Sequence, residues 1–305
     1  MTPEQRCAVG IDVGGTNIFA GLVDGTGRLL TTMKRPTPVA EGPAGIFGTM
    51  KAIIRELSTQ TEGRQLVGIG LGMPGLIDRE RGVSVFSPNT KFENVPVLSE
   101  FTEFGLPVDM DNDVRCHAIG ELKFGAGRDC DNFILITLGT GIGSGIIIDG
   151  QLYRGPKGVA GEIGHINLEP GGPLCGCGKR GCFEAIASGR NIGRRAIEAG
   201  IAGSSRELFQ KAAAGDVKAV QLVDKVAYDL GRGISIYAHL MNPKRVIVGG
   251  GVAQAGETLF RPLRKYAEQE SMTGVRGTFE IVPAQFGDEA GIVGSAALIG
   301  ALTEE

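Results

Sequence analysis

Apolar residues in this chain come in short runs that end at glycine. Ala8 to Val13 reads as a strand running into Gly14-Gly15-Thr16-Asn17, and Ile18 to Val23 as a second strand before the turn Asp24-Gly25-Thr26-Gly27. The pattern returns at Phe133 to Leu138, with Gly139-Thr140-Gly141 as the turn, Ile142 to Ile148 as the return strand and Asp149-Gly150 as its end. Two copies of one hairpin, a domain length apart, predict two related halves with a nucleotide held in the cleft between them. Between the copies, Ile46, Met50, Ile53, Ile54 and Leu57 fall at helical spacing over 43–58, and Leu66 to Leu71 reads as a short buried strand. A short helix over 97–104 follows, then a strand from Pro107 to Met110 that delivers Asp111-Asn112-Asp113. Beyond these lie helices over 114–124, 191–199, 205–214 and 216–239, then a strand over 245–252 that ends in Gly249-Gly250-Gly251. The chain closes with a strand near 278–284 and a helix from about 288 to 302.

The turns carry the first chemistry. Asp12, Gly14, Gly15 and Thr16 offer a carboxylate able to hold hydrated Mg²⁺, free backbone N–H groups and a hydroxyl; for this copy alone an ordinary glycine hairpin is the alternative. Two commoner explanations for the glycines fail. Ser144 stands where a dinucleotide fingerprint needs its third glycine, and that turn leads into a strand instead of a helix. No Gly-x4-Gly-Lys-Ser/Thr occurs in the chain. Polar residues at the carboxyl end of a parallel strand are where open α/β sheets keep their sites, which makes Asp113 a candidate for chemistry; its other reading is the N-cap of helix 114–124.

A denser cluster follows. His165, Cys175, Cys177 and Cys182 fall within eighteen positions, in an order that a tetrahedral zinc could use, and Gly176, Gly178 and Gly181 free the backbone for convergence. A closed Cys3His site leaves no open position, so such a zinc is structural. Cys7, Cys116 and Cys130 lie scattered at apolar positions and read as core residues; His117 and His239 read as capping or core histidines.

Composition narrows the classes. The 305 residues are 42% hydrophobic and 21% charged, enough for two domains with ample core. Fifty glycines clustered at strand ends mean tight turns, not collagen. A net charge of −3 without a basic run argues against nucleic-acid binding. No stretch approaches the ~20 apolar residues of a membrane helix. The N-terminal residues lack a basic-then-apolar signal, so a reducing cytoplasm is expected, as is a homodimer or dimer of dimers.

Together these residues resemble the ROK family of sugar kinases, and most closely its bacterial glucokinases. The resemblance rests on Asp12-x-Gly14-Gly15-Thr16-Asn17, Asn112-Asp113, Leu138-Gly139-Thr140-Gly141-Ile142-Gly143, Glu162-x-Gly164-His165, the Cys175-to-Glu184 turn and Gly249-Gly250-Gly251, in family order along nearly the whole chain. It implies an α/β, actin-like or hexokinase-like (ribonuclease H-like) fold of two domains, here 1–116 and 117–288, with the segment 289–305 packing back onto the first. It also implies ATP and Mg²⁺ as the donor system, with the nucleotide held by Asp12, Gly14, Gly15, Thr16, Asn17, Gly139, Thr140, Gly141, Gly249, Gly250 and Gly251. Asp113 would then be the general base, and Asn89, Asn112, Asp113, Glu162, His165 and Glu184 the sugar-binding set. The implied activity is phosphorylation of a hexose, glucose foremost, with N-acetylmannosamine, N-acetylglucosamine or fructose as alternatives. Polyphosphate stays open as an alternative donor, although no basic stripe recommends it. The family also holds repressors with a helix-turn-helix ahead of this region; only eleven residues precede Asp12, so a sugar sensor is the lesser expectation. Val114 to His117 after the base, Ser144 and the absence of tryptophan depart from the usual pattern and bear on which sugar is used.

Overall fold

A computed structural model describes residues 2–303. Its strands and helices are β1 (Arg6–Val13), β2 (Asn17–Asp24), β3 (Leu29–Pro36), α1 (Gly42–Ser58), β4 (Gln65–Met73), β5 (Leu76–Asp78), β6 (Val83–Ser87), β7 (Phe92–Pro96), β8 (Val108–Asn112) and α2 (Asp113–Phe124). There follow β9 (Phe133–Leu138), β10 (Ile142–Ile148), β11 (Gln151–Leu152), α3 (Phe183–Ala187), α4 (Gly189–Glu198), α5 (Ser205–Ala213), α6 (Val217–Met241), β12 (Arg245–Gly249), α7 (Glu257–Glu270), β13 (Glu280–Pro283) and α8 (Ala290–Ala296).

The chain divides into two compact units. One runs to Arg128 and includes 152–160 and the chain from Asp288 onward; the other is Asp129–Gln151 with Gly161–Gly287. The expected boundary at 116/117 would cut α2, which stays whole in the first unit because Gly120 packs against Gly294 of α8. The closing helix is also shorter than expected: α8 stops at Ala296, and a 3-10 turn over Gly300–Leu302 follows.

In the first unit the sheet order is β3-β2-β1-β4-β8, with the β1–β2 hairpin antiparallel and β1, β4 and β8 parallel. Helix α1 starts with a proline in its first turn and buries Ile46, Phe47, Met50, Ile53, Ile54 and Leu57, the stripe that its 3.6-residue period lines up. A small sheet, β5-β6-β7, and strand β3 were not visible as apolar runs; β3 is an edge strand with no buried residue. The segment 97–104 is a 3-10 helix over Leu98–Phe104.

In the second unit the order β11-β10-β9-β12-β13 repeats the first strand for strand, with the β9–β10 hairpin antiparallel and β9, β12 and β13 parallel, as the duplicated hairpin predicts. Its core gathers β9, β12, Phe183 and the inner faces of α6 and α7. Asp216 caps α6 by accepting from the Ala219 N–H (2.9 Å), and Asn242 closes it in a left-handed conformation, φ 42°. Helix α7, which sequence periodicity did not reveal, carries Pro262 within its span while burying Leu259, Phe260, Leu263 and Ala267.

Helix α8 lies on the first sheet at backbone distance. A methyl group on Gly10 or Gly70 would overlap the carbonyls of Ile292 or Ser295, and one on Gly294 would overlap the Cys116 carbonyl. We therefore expect Gly294→Ala to cost about 1–3 kcal/mol and lower Tm by roughly 3–10 °C. Gly48→Ala, on the exposed face of α1 with nothing nearby, should raise it slightly. Equal Tm shifts of the same sign in the two variants would contradict the packing.

Candidate active site

In the first unit, three chain segments meet at the carboxyl ends of β1, β4 and β8. The β1–β2 turn closes through the Gly14 N–H on the Asn17 carbonyl (2.9 Å), and Thr37 braces it by donating its hydroxyl to the Gly14 carbonyl (2.7 Å). Gly15 and Thr16 are exposed at the tip, with Asn89, also exposed, beside Gly15. Asp12 is enclosed below, where Gly291 of α8 leaves room for its carboxylate and no more. Burial pushes the Asp12 carboxyl up to about 7, and the charge of Asp113 adds to the shift.

At the end of β8 the backbone turns into α2. Asn112, with extended backbone, is the N-cap: its Oδ1 accepts from the N–H groups of Val114 (3.1 Å) and Arg115 (3.4 Å), and its Nδ2 donates to the Gly75 carbonyl (3.2 Å). The capping role considered for Asp113 thus falls to its neighbour. Asp113 is the first helical residue, half-buried, accepting from the Val114 N–H (2.9 Å) in the positive field of the helix start. Asp111, which the sequence reading passed over, is 1% exposed and accepts from the Asn112 N–H (2.8 Å) and from Arg154 Nε (2.7 Å).

The second unit brings together the remaining predicted residues. The β9–β10 turn closes through the Gly139 N–H on the Gly141 carbonyl (3.0 Å), and the start of α4 docks on it through the Gly189 N–H (2.8 Å). Glu184 accepts from the Ile142 N–H (3.0 Å), and Gly141 has no room for a side chain against that carboxylate. Gly250, at φ 82°, lies against the Leu138 backbone, a position open to glycine alone. Beside this turn is a cavity of about 810 Å³, lined among others by Gly139, Thr140, Arg190, Arg206, Phe209 and Gly251. Of the five glycines and one threonine expected to hold nucleotide here, Gly139, Thr140 and Gly251 reach the cavity; Gly141, Gly249 and Gly250 shape the backbone behind it. The wall from α5 carries no motif, so no sequence signal marks it.

Next to the turn lies the cysteine cluster. A tight loop, closed by the Cys175 N–H on the Lys179 carbonyl (2.8 Å), gathers His165, Cys175, Cys177 and Cys182 so that one ligand atom of each lies within 4.8 Å of the others. Cys177 Sγ is 3.6 Å from Cys182 Sγ, and Cys175 Sγ is 3.7 Å from His165 Nδ1. Metal–ligand bonds of ~2.0–2.3 Å meeting at tetrahedral angles separate their donors by roughly 3.3–3.8 Å, so the set fits a four-coordinate ion. All six cysteines are free thiols. Cys7, Cys116 and Cys130 are buried in the interior, as their apolar setting suggests, whereas His239 is exposed and accepts from the Met272 N–H (2.9 Å). Glu184 Oε1 lies 3.7 Å from Cys175 Sγ, so one carboxylate touches both the hairpin turn and the cluster. Glu162 is exposed, and its charge adds to the burial that raises Tyr237 to about 12.

Comparison with known proteins places these motifs in context. Residues 8–301 match the ROK family. The chain belongs to the ROK family. Relatives include the glucokinases of Thermotoga maritima, 39% identical over 95% of this chain and 96% of the relative, and of Halalkalibacterium halodurans, 36% identical over 97% and 96%. Among solved structures, a ROK family glucokinase from Streptomyces griseus in complex with glucose and AMPPNP superposes with a TM-score of 0.83 at 38% identity, covering 96% of this chain and 99% of that one. The fold is thus the two-domain fold of the ROK sugar kinases.

His117, one turn after Asp113, is half-buried, its ring held among the packed side chains of the first unit, and desolvation pushes its pKa from 6.5 to about 4. Because the folded state disfavours the charged ring, its contribution is intact above pH 6.5 and falls away as pH drops toward 4, by roughly 3 kcal/mol in all. His117→Gln should therefore flatten the decline of Tm between these pH values; parallel curves for variant and parent would contradict the burial.

Proposed function

We propose that this chain transfers the γ-phosphoryl group of ATP to the 6-hydroxyl of glucose. The observation that carries the reading is the pairing, in the first unit, of Asp113 at a helix start with the desolvated Asp12 beneath a glycine turn. Phosphoryl transfer asks a protein mainly for alignment and charge neutralisation. Asp113 Oδ accepts the hydroxyl proton as the sugar oxygen bonds to the γ-phosphorus and the bond to the ADP oxygen breaks. Its position at a helix start sets it in the positive field of the helix N-terminus, which favours the carboxylate form as acceptor. Asn89, Asn112, Glu162, His165 and Glu184 hold the sugar, while Gly14 to Asn17, Gly139 to Gly141 and Gly249 to Gly251 hold the nucleotide, the cavity bounded by α5 taking its base.

Asp12 would hold Mg²⁺, whose charge answers that of the phosphates when it is bound; the desolvation that raises its carboxyl supports this, since a nearby cation would offset it. His165, Cys175, Cys177 and Cys182 would hold zinc, which supplies folding energy to the loop and has no coordination site left for chemistry. With Nδ1 toward Cys175, the other ring nitrogen of His165 remains for a sugar hydroxyl. Thiolate ligands suit a reducing cytoplasm, and no described helix is long and apolar enough to cross a membrane. A homodimer is the proposed assembly.

The test of the activity is ADP release with ATP and Mg²⁺ across glucose, mannose, fructose, glucosamine, N-acetylglucosamine and N-acetylmannosamine. Glucose should lead in kcat/KM; a lead for an N-acetylated sugar would change the substrate, and silence on all six with binding intact would overturn the kinase. Asp113→Asn should lose ~10²–10⁴-fold in kcat with sugar affinity retained. Chelating the metal should lower Tm and sugar affinity together. Verified metal loss that moves neither would sink the zinc assignment.

A further inference from the structure

The segment 152–160 belongs to the first unit although the residues on either side of it belong to the second. It is a closed strap, fastened on itself by the Ala160 N–H on the Arg154 carbonyl (3.0 Å) and the Gly158 N–H on the Gly155 carbonyl (3.2 Å). Two further bonds tie it to the β8–α2 junction. Arg154 Nε donates to Asp111 Oδ2 (2.7 Å), and an Arg115 guanidinium nitrogen donates to the Ala160 carbonyl (3.1 Å). Arg115 also faces the other Asp111 oxygen at 3.7 Å. The carboxylate is 1% exposed, and its Oδ1 accepts the N–H of Asn112, the cap on which Asp113 sits.

We infer that Arg154 is a positioning residue for the reaction: through Asp111 it fixes the backbone that aims Asp113, and it anchors the strap that leads through Gly161 into Glu162 and His165. A buried carboxylate stripped of one charged partner does not stay as it was. Without Arg154, Arg115 is drawn onto Asp111 and lets go of Ala160, so the junction and the strap shift together. Displacements of about 1 Å at a reacting group cost on the order of 10²-fold in rate. None of Arg154, Asp111, Arg115 and Ala160 lines the cavity beside the Gly139 turn, so the affinity for ATP should change far less than the affinity for sugar.

The inference rests on the reading of Asp113 as base, and the experiment separates the two. Arg154→Met, Arg154→Lys and Asp113→Asn are assayed for kcat, KM for sugar, KM for ATP and Tm in the full-length protein. Arg154→Met should lower kcat at least tenfold and raise the sugar KM several-fold, with the ATP KM within twofold, and Arg154→Lys should recover part of both losses. Arg154 is 31% exposed, so the variants should fold; if Met does not, Arg154→Gln carries the same test. A dead Asp113→Asn beside an Arg154→Met with unchanged kcat and sugar KM would overturn the clamp alone. Equal losses in both KM values, or a lysine no better than methionine, would also overturn it, since a merely structural role predicts those. Wild-type turnover in Asp113→Asn would overturn the base and the clamp with it.

Discussion

Backbone-to-backbone packing of α8 against the first sheet is the constraint on which the first unit depends. Gly10 and Gly70 let the helix approach β1 and β4 without intervening side chains, and Gly120 and Gly294 let α2 approach it in turn. Interiors packed at this density transmit small displacements instead of absorbing them. Asp12 is therefore desolvated by Gly291 from above while α2 begins at a fixed place beside it. The chemistry proposed for Asp113 follows from that placement: a carboxylate at a helix start, near a second carboxylate that needs a cation.

The second unit reaches a comparable result by a different device. Its sheet repeats the strand order of the first, but the turn between β9 and β10 is held by the Glu184 carboxylate together with the docked start of α4. The same carboxylate lies against Cys175, so a metal held by the cluster would order the turn along with the loop. A structural ion would in this way matter to the hairpin proposed to hold nucleotide without taking part in chemistry.

Much of this was legible in the chain. Glycine-tipped hairpins, the Cys-x-Cys spacing and the acid run after β8 are local patterns, and local patterns report the backbone that glycines and turns permit. Asn112 was legible as a polar residue at the right place but not as a cap, because that role depends on where the helix begins by one residue. Long-range partners left no trace: Arg154 lies 43 residues from Asp111, and no spacing rule links them. Strand β3 and the small β5-β6-β7 sheet were invisible for another reason, since an exposed edge strand or a three-residue strand has no apolar run to announce it. The α5 wall of the cavity is an ordinary amphipathic helix whose outer residues acquire meaning only from their neighbours.

The proposed reaction is defined by where the phosphorus goes. The ³¹P NMR spectrum of the product formed from ATP, Mg²⁺ and glucose tests this most directly. A phosphate ester resonance split into a triplet by the paired protons of carbon 6 is the predicted result. Inorganic phosphate alone, or an ester coupled to a single ring proton, would contradict the alignment of Asp113 with the 6-hydroxyl.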